Sequence, residues 1–183
     1  MLKKQKSVEG ECRITTVLFS NDYELLHDRI DIRAVSSISH KEYFVGGSTA
    51  LIDAIGRTIH KIEKVQRQTA EDYRAENVMF VIITDGQENS SYEYSAEQVK
   101  QMIEYQKTKN GWEFIFLGAN IDAVETAGHF GISANRAQNF HADSNGVEIN
   151  FRVMSDMVTE FRESSTIPED WNKEIQKDYK GRR

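Results

Sequence analysis

The sequence predicts an α/β fold in which helices cover both faces of a mostly parallel sheet. Patterns typical of strands and of helices alternate along the chain, which is characteristic of parallel strands joined by helical connections. Two continuous apolar runs, residues 78–84 (VMFVIIT) and 112–117 (WEFIFL), have the composition of strands that are buried on both faces. Residues 49–66 show the apolar period of an amphipathic helix.

The composition is that of a globular protein and argues against several classes of function. The 183 residues carry 23 basic and 29 acidic side chains, so the formal charge is −6 and no nucleic-acid partner is expected. Cys12 is the single cysteine, which excludes an intrachain disulfide and a cysteine zinc cluster. The sequence has no signal-peptide pattern and no run of ~20 apolar residues, so we predict a cytoplasmic protein without membrane contact.

The first part of the chain predicts a short helix and a hairpin. Residues 1–8 resemble the polar last turns of a helix. Residues 12–20 are rich in β-branched and apolar side chains, as expected of a strand. The turn residues Asn21 and Asp22 predict that residues 23–32 form a second strand paired back on the first.

The clearest predicted helix covers residues 49–66. Its apolar stripe consists of Leu51, Ile55, Ile59 and Ile62. These spacings of four, four and three residues place the four side chains on one face of a helix. Either Ser48 or Thr49 is the expected N-cap, because a hydroxyl at that position accepts a backbone hydrogen bond of the first turn.

The rest of the chain continues the alternation. Further helices are predicted at residues 95–108, 121–129 and 147–164, and a short strand at residues 137–141. On the last helix the expected buried side chains are Val147, Phe151, Met154, Val158 and Phe161. We therefore predict one domain over residues 1–165, followed by a C-terminal tail at residues 166–183.

Three loops are candidates for a binding site, because ligands of open parallel sheets sit beyond the carboxyl ends of the strands. The loops are residues 46–49, 84–89 and 118–122. Asp85 follows a buried strand, and its carboxylate either meets a cation or caps an ordinary Asp-Gly turn. Thr49 is similarly either a helix N-cap or an oxygen ligand.

Residues in these loops resemble the metal site of von Willebrand factor A domains. Residues 46–55 (GGSTALIDAI) are similar to the loop and helix start that carry the metal-binding threonine of the family. Residues 80–86 (FVIITDG) are similar to its fourth strand with the metal-site aspartate, and residues 114–120 (FIFLGAN) resemble the next strand of bacterial members. The resemblance implies a three-layer, Rossmann-like fold over roughly residues 11–160.

The resemblance also implies a site and a partner. Thr49 would supply a hydroxyl oxygen to a metal, Asp85 would approach the metal directly or through water, and Ser48 would support them. The family binds Mg²⁺ (or Mn²⁺), a hard ion that prefers oxygen, and an acidic side chain of a protein partner completes the ligand shell. We therefore predict a non-catalytic protein-binding module with a metal-ion-dependent adhesion site.

One part of the family pattern is not found in this sequence. The first strand of the family ends in Asp-x-Ser-x-Ser; Ser37 and Ser39 have the serine spacing, but Val35 stands where the aspartate should be. We therefore expect the first central strand to be missing. Since Thr49 and Asp85 offer one formal negative charge, metal binding is expected to be weak or absent in this chain alone. An exposed strand edge would then favour self-association or a partner strand.

Two other functions are alternatives to this prediction. The first is a metal-free scaffold module with the same fold. The second is an α/β serine hydrolase in which Ser48 is the nucleophile, with Asp85 and either His129 or His141 completing a triad. The hydrolase is disfavoured because residues 39–43 are too polar for the buried strand that precedes a nucleophile elbow. The phosphate-binding glycine motifs of nucleotide enzymes are not found.

Overall fold

The computed structural model describes residues 2–38 and 47–182. The chain divides into two compact units, one formed by Met1–Gly47 together with Phe140–Arg183, the other by Ser48–Asn139. The fold is mixed α/β, with a three-stranded parallel sheet and flanking helices, which is compatible with a Rossmann-like class. The predicted alternation of strands and helices is confirmed, and each unit is described separately.

The unit of Ser48–Asn139 contains the parallel sheet. Its elements are α2 (Leu51–Gln68), β3 (Met79–Thr84), α3 (Ala96–Asn110), β4 (Glu113–Gly118), α4 (Ala123–His129) and β5 (Ala137–Asn139). The strand order is β3-β4-β5, and both pairings are parallel. The two apolar runs found in the sequence are therefore β3 and β4, as predicted.

Strand β4 is the centre of this sheet and of its core. Phe114, Ile115, Phe116 and Leu117 are each at most 1% exposed, because β4 has a strand on either side and helices cover the sheet. The ring of Phe80 on β3 stacks on Phe114, with 5.0 Å between the ring centroids. Burial of this many large apolar side chains, at roughly 2 kcal/mol each, is the main stabilising contribution in the unit.

Capping residues in the sequence mark both ends of α3. The hydroxyl of Ser95 and the amide of Gln98 form a reciprocal capping box at the start of α3. The helix ends at Gly111, whose φ of 64° is the left-handed conformation that favours glycine. On the predicted apolar face of α2, Leu51, Ile55 and Ile59 are buried and Ile62 is half-buried.

The other unit combines a hairpin with three helices. Its elements are α1 (Leu2–Ser7), β1 (Arg13–Phe19), β2 (Tyr23–Asp31), α5 (Ser144–Ser164) and α6 (Lys173–Gly181). The predicted hairpin is confirmed, since β1 and β2 pair antiparallel. The Gln5 side chain on α1 is 2% exposed and donates to Ser155 O at 2.8 Å, which fixes α1 against α5.

Two expectations for the C-terminal region were wrong. The buried stripe of α5 includes the predicted Met154 and Phe161 together with Asn150 and Met157, whereas the predicted Phe151 is 43% exposed. The predicted tail contains the helix α6, whose Ile175 is 1% exposed. Both differences arise because α6 packs on α5 and thereby selects which face of α5 is covered. None of the helices in the described ranges combines the length and apolarity that crossing a bilayer requires.

Candidate functional site

Two of the three predicted loops meet at the carboxyl end of β3. Thr49 Oγ1 lies 3.3 Å from the position that a Cβ on Gly86 would occupy. The backbone N–H of Thr49 donates to Asn89 Oδ1 at 2.8 Å, and the N–H of Asn89 donates to Thr49 O at 3.1 Å. The loop before α2 and the loop after β3 are therefore joined directly, with the Thr49 hydroxyl next to the residue that follows Asp85.

The third predicted loop reaches the same end of the sheet. The N–H of Ala119 donates to Thr84 O at 2.9 Å, and Asn120 Nδ2 lies 3.4 Å from Asp85 O. Asn120 has a φ of 58°, a conformation in which asparagine is favoured among non-glycine residues. Asp122 is occupied as the N-cap of α4, where its carboxylate accepts the N–H groups of the first turn.

The carboxylate of Asp85 is exposed and does not form the turn in which it lies. The turn is made by Thr84, whose hydroxyl donates to Gly86 O at 3.0 Å and accepts from Gly86 N at 3.4 Å. Among the described residues, no hydrogen bond reaches the Asp85 carboxylate oxygens. The interpretation of Asp85 as a self-capping Asp-Gly turn is therefore wrong, because the threonine before it performs that role.

The N-cap prediction for Ser48 or Thr49 is also wrong. The N-cap of α2 is Ala50, which makes no side-chain capping bond. The N–H groups of the first turn are satisfied from the loop after β3 instead: Ile52 N–H donates to Glu88 Oε2 at 2.9 Å, and Asp53 N–H donates to Ser91 Oγ at 3.1 Å. Capping therefore does not consume the Thr49 hydroxyl.

Asp53 joins α2 to the loop after β3 from the opposite direction. Its side chain is 3% exposed, and its carboxylate accepts the backbone N–H groups of Tyr92, Glu93 and Tyr94 at 2.9–3.2 Å. Burial acts to raise the pKa of Asp53, but the three N–H donors outweigh it and hold the pKa below its usual range. The sequence signal for this role was an acidic residue in the first turn of an amphipathic helix, and this signal alone does not distinguish a buried anchor from an exposed residue.

Glu88 is the second carboxylate that sequence reasoning missed as a structural element. Besides Ile52, it accepts the N–H groups of Ser90 and Ser91, each at 2.8 Å, and the Ser91 hydroxyl at 2.8 Å. Burial acts to raise the pKa of Glu88, and these hydrogen bonds lower it below the ordinary glutamate value. Asp53 and Glu88 together fix the loop after β3 on the N-terminus of α2.

The lowered pKa of Glu88 predicts how the stability of this unit depends on pH. Because the pKa of Glu88 is lower in the folded chain than in the unfolded chain, the unfolded state binds the proton more readily. The stabilisation is therefore complete above the ordinary glutamate pKa and is lost as the pH falls through that value towards the folded pKa. We expect urea unfolding to show this loss, and Glu88→Gln to reduce the slope of unfolding free energy against pH.

Glu76→Gln provides the matched control for that measurement, because Glu76 is exposed in the same unit. The control is expected to keep the slope of the unsubstituted chain. An equal slope for the Glu88→Gln and Glu76→Gln variants would contradict the role assigned to Glu88.

Close packing and an ion pair hold the far end of the loop. A Cβ on Gly56 would lie 2.7 Å from Cγ of Tyr94, so the Tyr94 ring packs directly on the backbone of α2. Arg57 Nε donates to Glu93 Oε2 at 2.7 Å, and a second hydrogen bond joins the same two side chains. Both are about one-third exposed, so the pair contributes little stability. Tyr92, whose backbone N–H donates to Asp53, is 80% exposed.

The side chains at this rim do not by themselves fit a Mg²⁺ site. Within the described part of the chain, no group of three or more His, Cys, Asp or Glu side chains is arranged to hold a metal ion. Asp85 is one carboxylate and Thr49 one neutral oxygen, while the carboxylates of Asp53 and Glu88 are occupied by backbone donors. A hydrated dication needs more oxygen ligands than this chain presents there.

The hydrolase alternative gains nothing from the placement of its residues. Ser48 is half-buried next to Thr49. His129 is exposed at the end of α4. The ring of His141, in the other unit, packs on Tyr179 with 4.8 Å between the ring centroids. Gly46 and residues 39–43 lie outside the described residues.

Comparison of the chain with protein-family models, with curated proteins and with solved structures found no match. The resemblance to von Willebrand factor A domains therefore depends on the motifs in the sequence. The geometry at the end of β3 shows only which loops and side chains come together there, and it does not depend on the family resemblance.

Proposed function

We propose that this chain is a non-catalytic protein-binding module of the von Willebrand A type, in which none of the described strands corresponds to the first central strand of that family. Its binding rim comprises Thr49, Asp85 and the exposed part of the loop after β3, with Ser48 in support. The partner contributes an acidic side chain, and the rim and this side chain share a cation, Mg²⁺ or Mn²⁺. The cation is held weakly, or not at all, by this chain alone.

One observation carries the proposal: Thr49 Oγ1 lies 3.3 Å from the position that a Cβ on Gly86, the residue after Asp85, would occupy, and reciprocal hydrogen bonds between Thr49 and Asn89 hold the two loops together. Neither the hydroxyl nor the carboxylate is used for capping or for the turn. Polar groups that a fold fixes in place without giving them a structural task are candidates for contact with a ligand. The exposed ring of Tyr92 adds an aromatic side chain of the kind that is enriched in protein interfaces.

The cation is tested with Mn²⁺, whose unpaired electrons broaden the NMR signals of nearby amides. Mn²⁺ alone is expected to broaden the amide signals around Thr49 and Asp85 only slightly. Acetate, used as a carboxylate probe, is expected to increase this broadening because it supplies an oxygen ligand that the rim lacks. Asp85→Asn is expected to abolish the effect, and Thr49→Val, which removes the hydroxyl at nearly constant volume, to weaken it several-fold.

Asp72→Asn is the control for this titration, because Asp72 is an exposed carboxylate of the same unit away from the rim. It is expected to leave the broadening unchanged. Tight Mg²⁺ binding in calorimetry would show that the metal site is complete without a partner, contrary to the proposal. Absence of selective broadening with and without acetate would favour the metal-free scaffold module instead.

We further propose self-association through an exposed strand edge as a second property of the module. The carboxyl rim and a strand edge are different surfaces, so the two properties can be tested independently. The absence of a nucleic-acid partner and the cytoplasmic location remain predictions from the composition.

A further inference from the structure

Strand β3 has an open edge on the side away from β4. Among the described residues, β3 forms its ladder with β4 only. Its side chains reflect this: Met79, Phe80, Val81 and Ile83 are half-buried. The equally apolar β4 has strands on both sides and is almost completely buried from Phe114 to Leu117. β3 and β4 are equally apolar, so the greater exposure of β3 reflects the missing neighbouring strand and not a more polar sequence.

The alternation of hydrogen bonds identifies which residues face the open edge. The N–H of Glu113 donates to Val78 O at 3.0 Å, and the N–H of Ala119 donates to Thr84 O at 2.9 Å. In a parallel ladder, successive residues direct their backbone groups to opposite sides. The even-numbered residues from 78 to 84 therefore face β4, and the backbone groups of Met79, Val81 and Ile83 point to the open edge.

The edge has none of the features that discourage pairing between chains. Proteins protect such edges with charged side chains, prolines or bulges, and the six residues of β3 (MFVIIT) include no charge and no proline. The register with β4 runs without a bulge from Met79 to Thr84. A short, uncharged segment of β-branched and aromatic residues favours pairing with a like strand.

We infer that β3 pairs antiparallel with β3 of a second copy of this chain, about a two-fold axis that passes through Val81. This inference adds a strand, an orientation and a register to the proposed self-association, and it rests on that proposal. In this register Val81 lies opposite Val81 of the partner subunit, and Met79 lies opposite the partner's Ile83. The three residues of the open edge are thus all matched with one another.

The backbone geometry of β3 suits this register. Residues that direct both N–H and C=O to the same side are the ones that form the narrow, doubly hydrogen-bonded pairs of an antiparallel ladder. Met79, Val81 and Ile83 all have this orientation, so each pair exchanges two hydrogen bonds. An isologous interface also closes on itself, because each copy of β3 covers the edge of the other, and this distinguishes it from open-ended aggregation through β3.

The charges flanking β3 are also compatible with the two-fold register. Extended by one residue at its C-terminal end and by two at its N-terminal end, the ladder would place Asp85 opposite the partner's Asn77, a carboxylate opposite an amide. A register that set the Asp85 carboxylates of both copies against each other would be unfavourable, since like charges directly opposite destabilise a sheet. The uncharged strand and its flanks are therefore self-complementary in this register.

Sedimentation velocity over a wide concentration range tests the strand that is involved. The unsubstituted chain is expected to form a dimer in a concentration-dependent manner. Val81→Pro removes an N–H of the open edge that β4 does not use, so the variant is expected to be folded and monomeric. Val81→Thr, a β-branched residue that keeps the N–H, is expected to dimerise like the parent. Circular dichroism checks that both variants are folded.

Disulfide trapping tests the register and remains informative if Val81→Pro does not fold. In a Cys12→Ser background, Val81→Cys is expected to form an intermolecular disulfide, because Cα atoms of a narrow antiparallel pair are about 5.5 Å apart. Ile83→Cys faces the partner's Met79 and is expected to remain reduced under the same conditions. The combination of both results would support the two-fold axis at Val81.

Three outcomes would overturn the inference. A chain that is monomeric at all concentrations would exclude the second copy as the occupant, even if an added apolar peptide bound to the edge. A dimer unaffected by Val81→Pro would leave self-association standing but not through β3. Disulfide formation by Ile83→Cys as readily as by Val81→Cys would contradict the register. None of these results depends on the Mn²⁺ titration, which tests the carboxyl rim separately.

Discussion

Replacing Asp53 with alanine is expected to lower the free energy of unfolding by roughly 3 kcal/mol, because a hydrogen bond to a buried charged group is worth about 1.5–3 kcal/mol and several are lost together. Three backbone N–H groups, those of Tyr92, Glu93 and Tyr94, would lose their acceptor at once. The loop after β3 would then be released from α2 at this end. Urea unfolding followed by tryptophan fluorescence measures the loss.

Two companion variants separate this effect from a general sensitivity to mutation. Asp72→Ala removes an exposed carboxylate of the same unit and is expected to change stability by no more than about 0.5 kcal/mol. Asp53→Asn retains the shape but replaces one acceptor oxygen by a donor that faces backbone N–H groups, so most of the loss should persist. A loss below about 1 kcal/mol for Asp53→Ala would show that water readily replaces the carboxylate.

The same substitution has a consequence for the proposed binding rim. The pair of hydrogen bonds between Thr49 and Asn89 lies at one end of the loop that Asp53 anchors at the other. Releasing the second anchor would allow the loop that carries Asp85 to move relative to Thr49. In the proposed binding module, Asp53 would therefore act on the rim only by positioning this loop.

The elements of this fold could be predicted from the sequence where one periodic signal dominated. The continuous apolar runs in β3 and β4 and the amphipathic period of α2 have no other simple interpretation in a chain of this composition. The same was true of the hairpin, whose turn residues separate two β-rich segments. In each of these cases the local pattern and the long-range packing favour the same structure.

Burial on α5 could not be predicted in the same way. An apolar side chain such as Phe151 fits the stripe expected from spacing, yet Asn150 is at 1% exposure and Phe151 at 43%. Which of two adjacent positions is covered depends on where α1 and α6 pack against α5. The pattern of residues 166–183 does not indicate that α6 is a packing element, because these residues are mostly polar and contain Pro168.

For the candidate site, the position could be predicted from the sequence, but the roles of the individual side chains could not. The rule that ligands sit at the carboxyl ends of parallel strands was sufficient to select the three loops that converge near Asp85. Which polar group caps α2 and which forms the turn after β3 was not predictable, because this depends on which side chain reaches each unpaired backbone N–H. Glu88, rather than Thr49, satisfies the first turn of α2, and Thr84, rather than Asp85, makes the turn after β3.

Gly146→Ala is expected to destabilise the unit that contains α5 and α6 by about 2 kcal/mol. Overpacking costs about 1–3 kcal/mol and the loss of a cap about 1 kcal/mol. The higher helix propensity of alanine offsets about 1 kcal/mol of this cost. A Cβ at position 146 would lie 2.2 Å from His141 O, a backbone atom that cannot rotate away. The backbone before α5 would have to shift. That shift would disturb the N-cap of α5, where Asp143 Oδ1 accepts the N–H of Gly146 at 2.8 Å.

The effect should extend to α6, which distinguishes a backbone displacement from a loss confined to the first turn of α5. His141 packs on Tyr179 of α6, and its Nε2 lies 3.3 Å from Tyr179 O, so a shift of His141 loosens that contact as well. Hydrogen exchange should therefore accelerate in both α5 and α6. Gly181→Ala is the matched control, because no heavy atom lies within 4 Å of a Cβ at that position, and it should leave both helices unchanged. Equal stability of the two variants would mean that the close approach at Gly146 relaxes without cost.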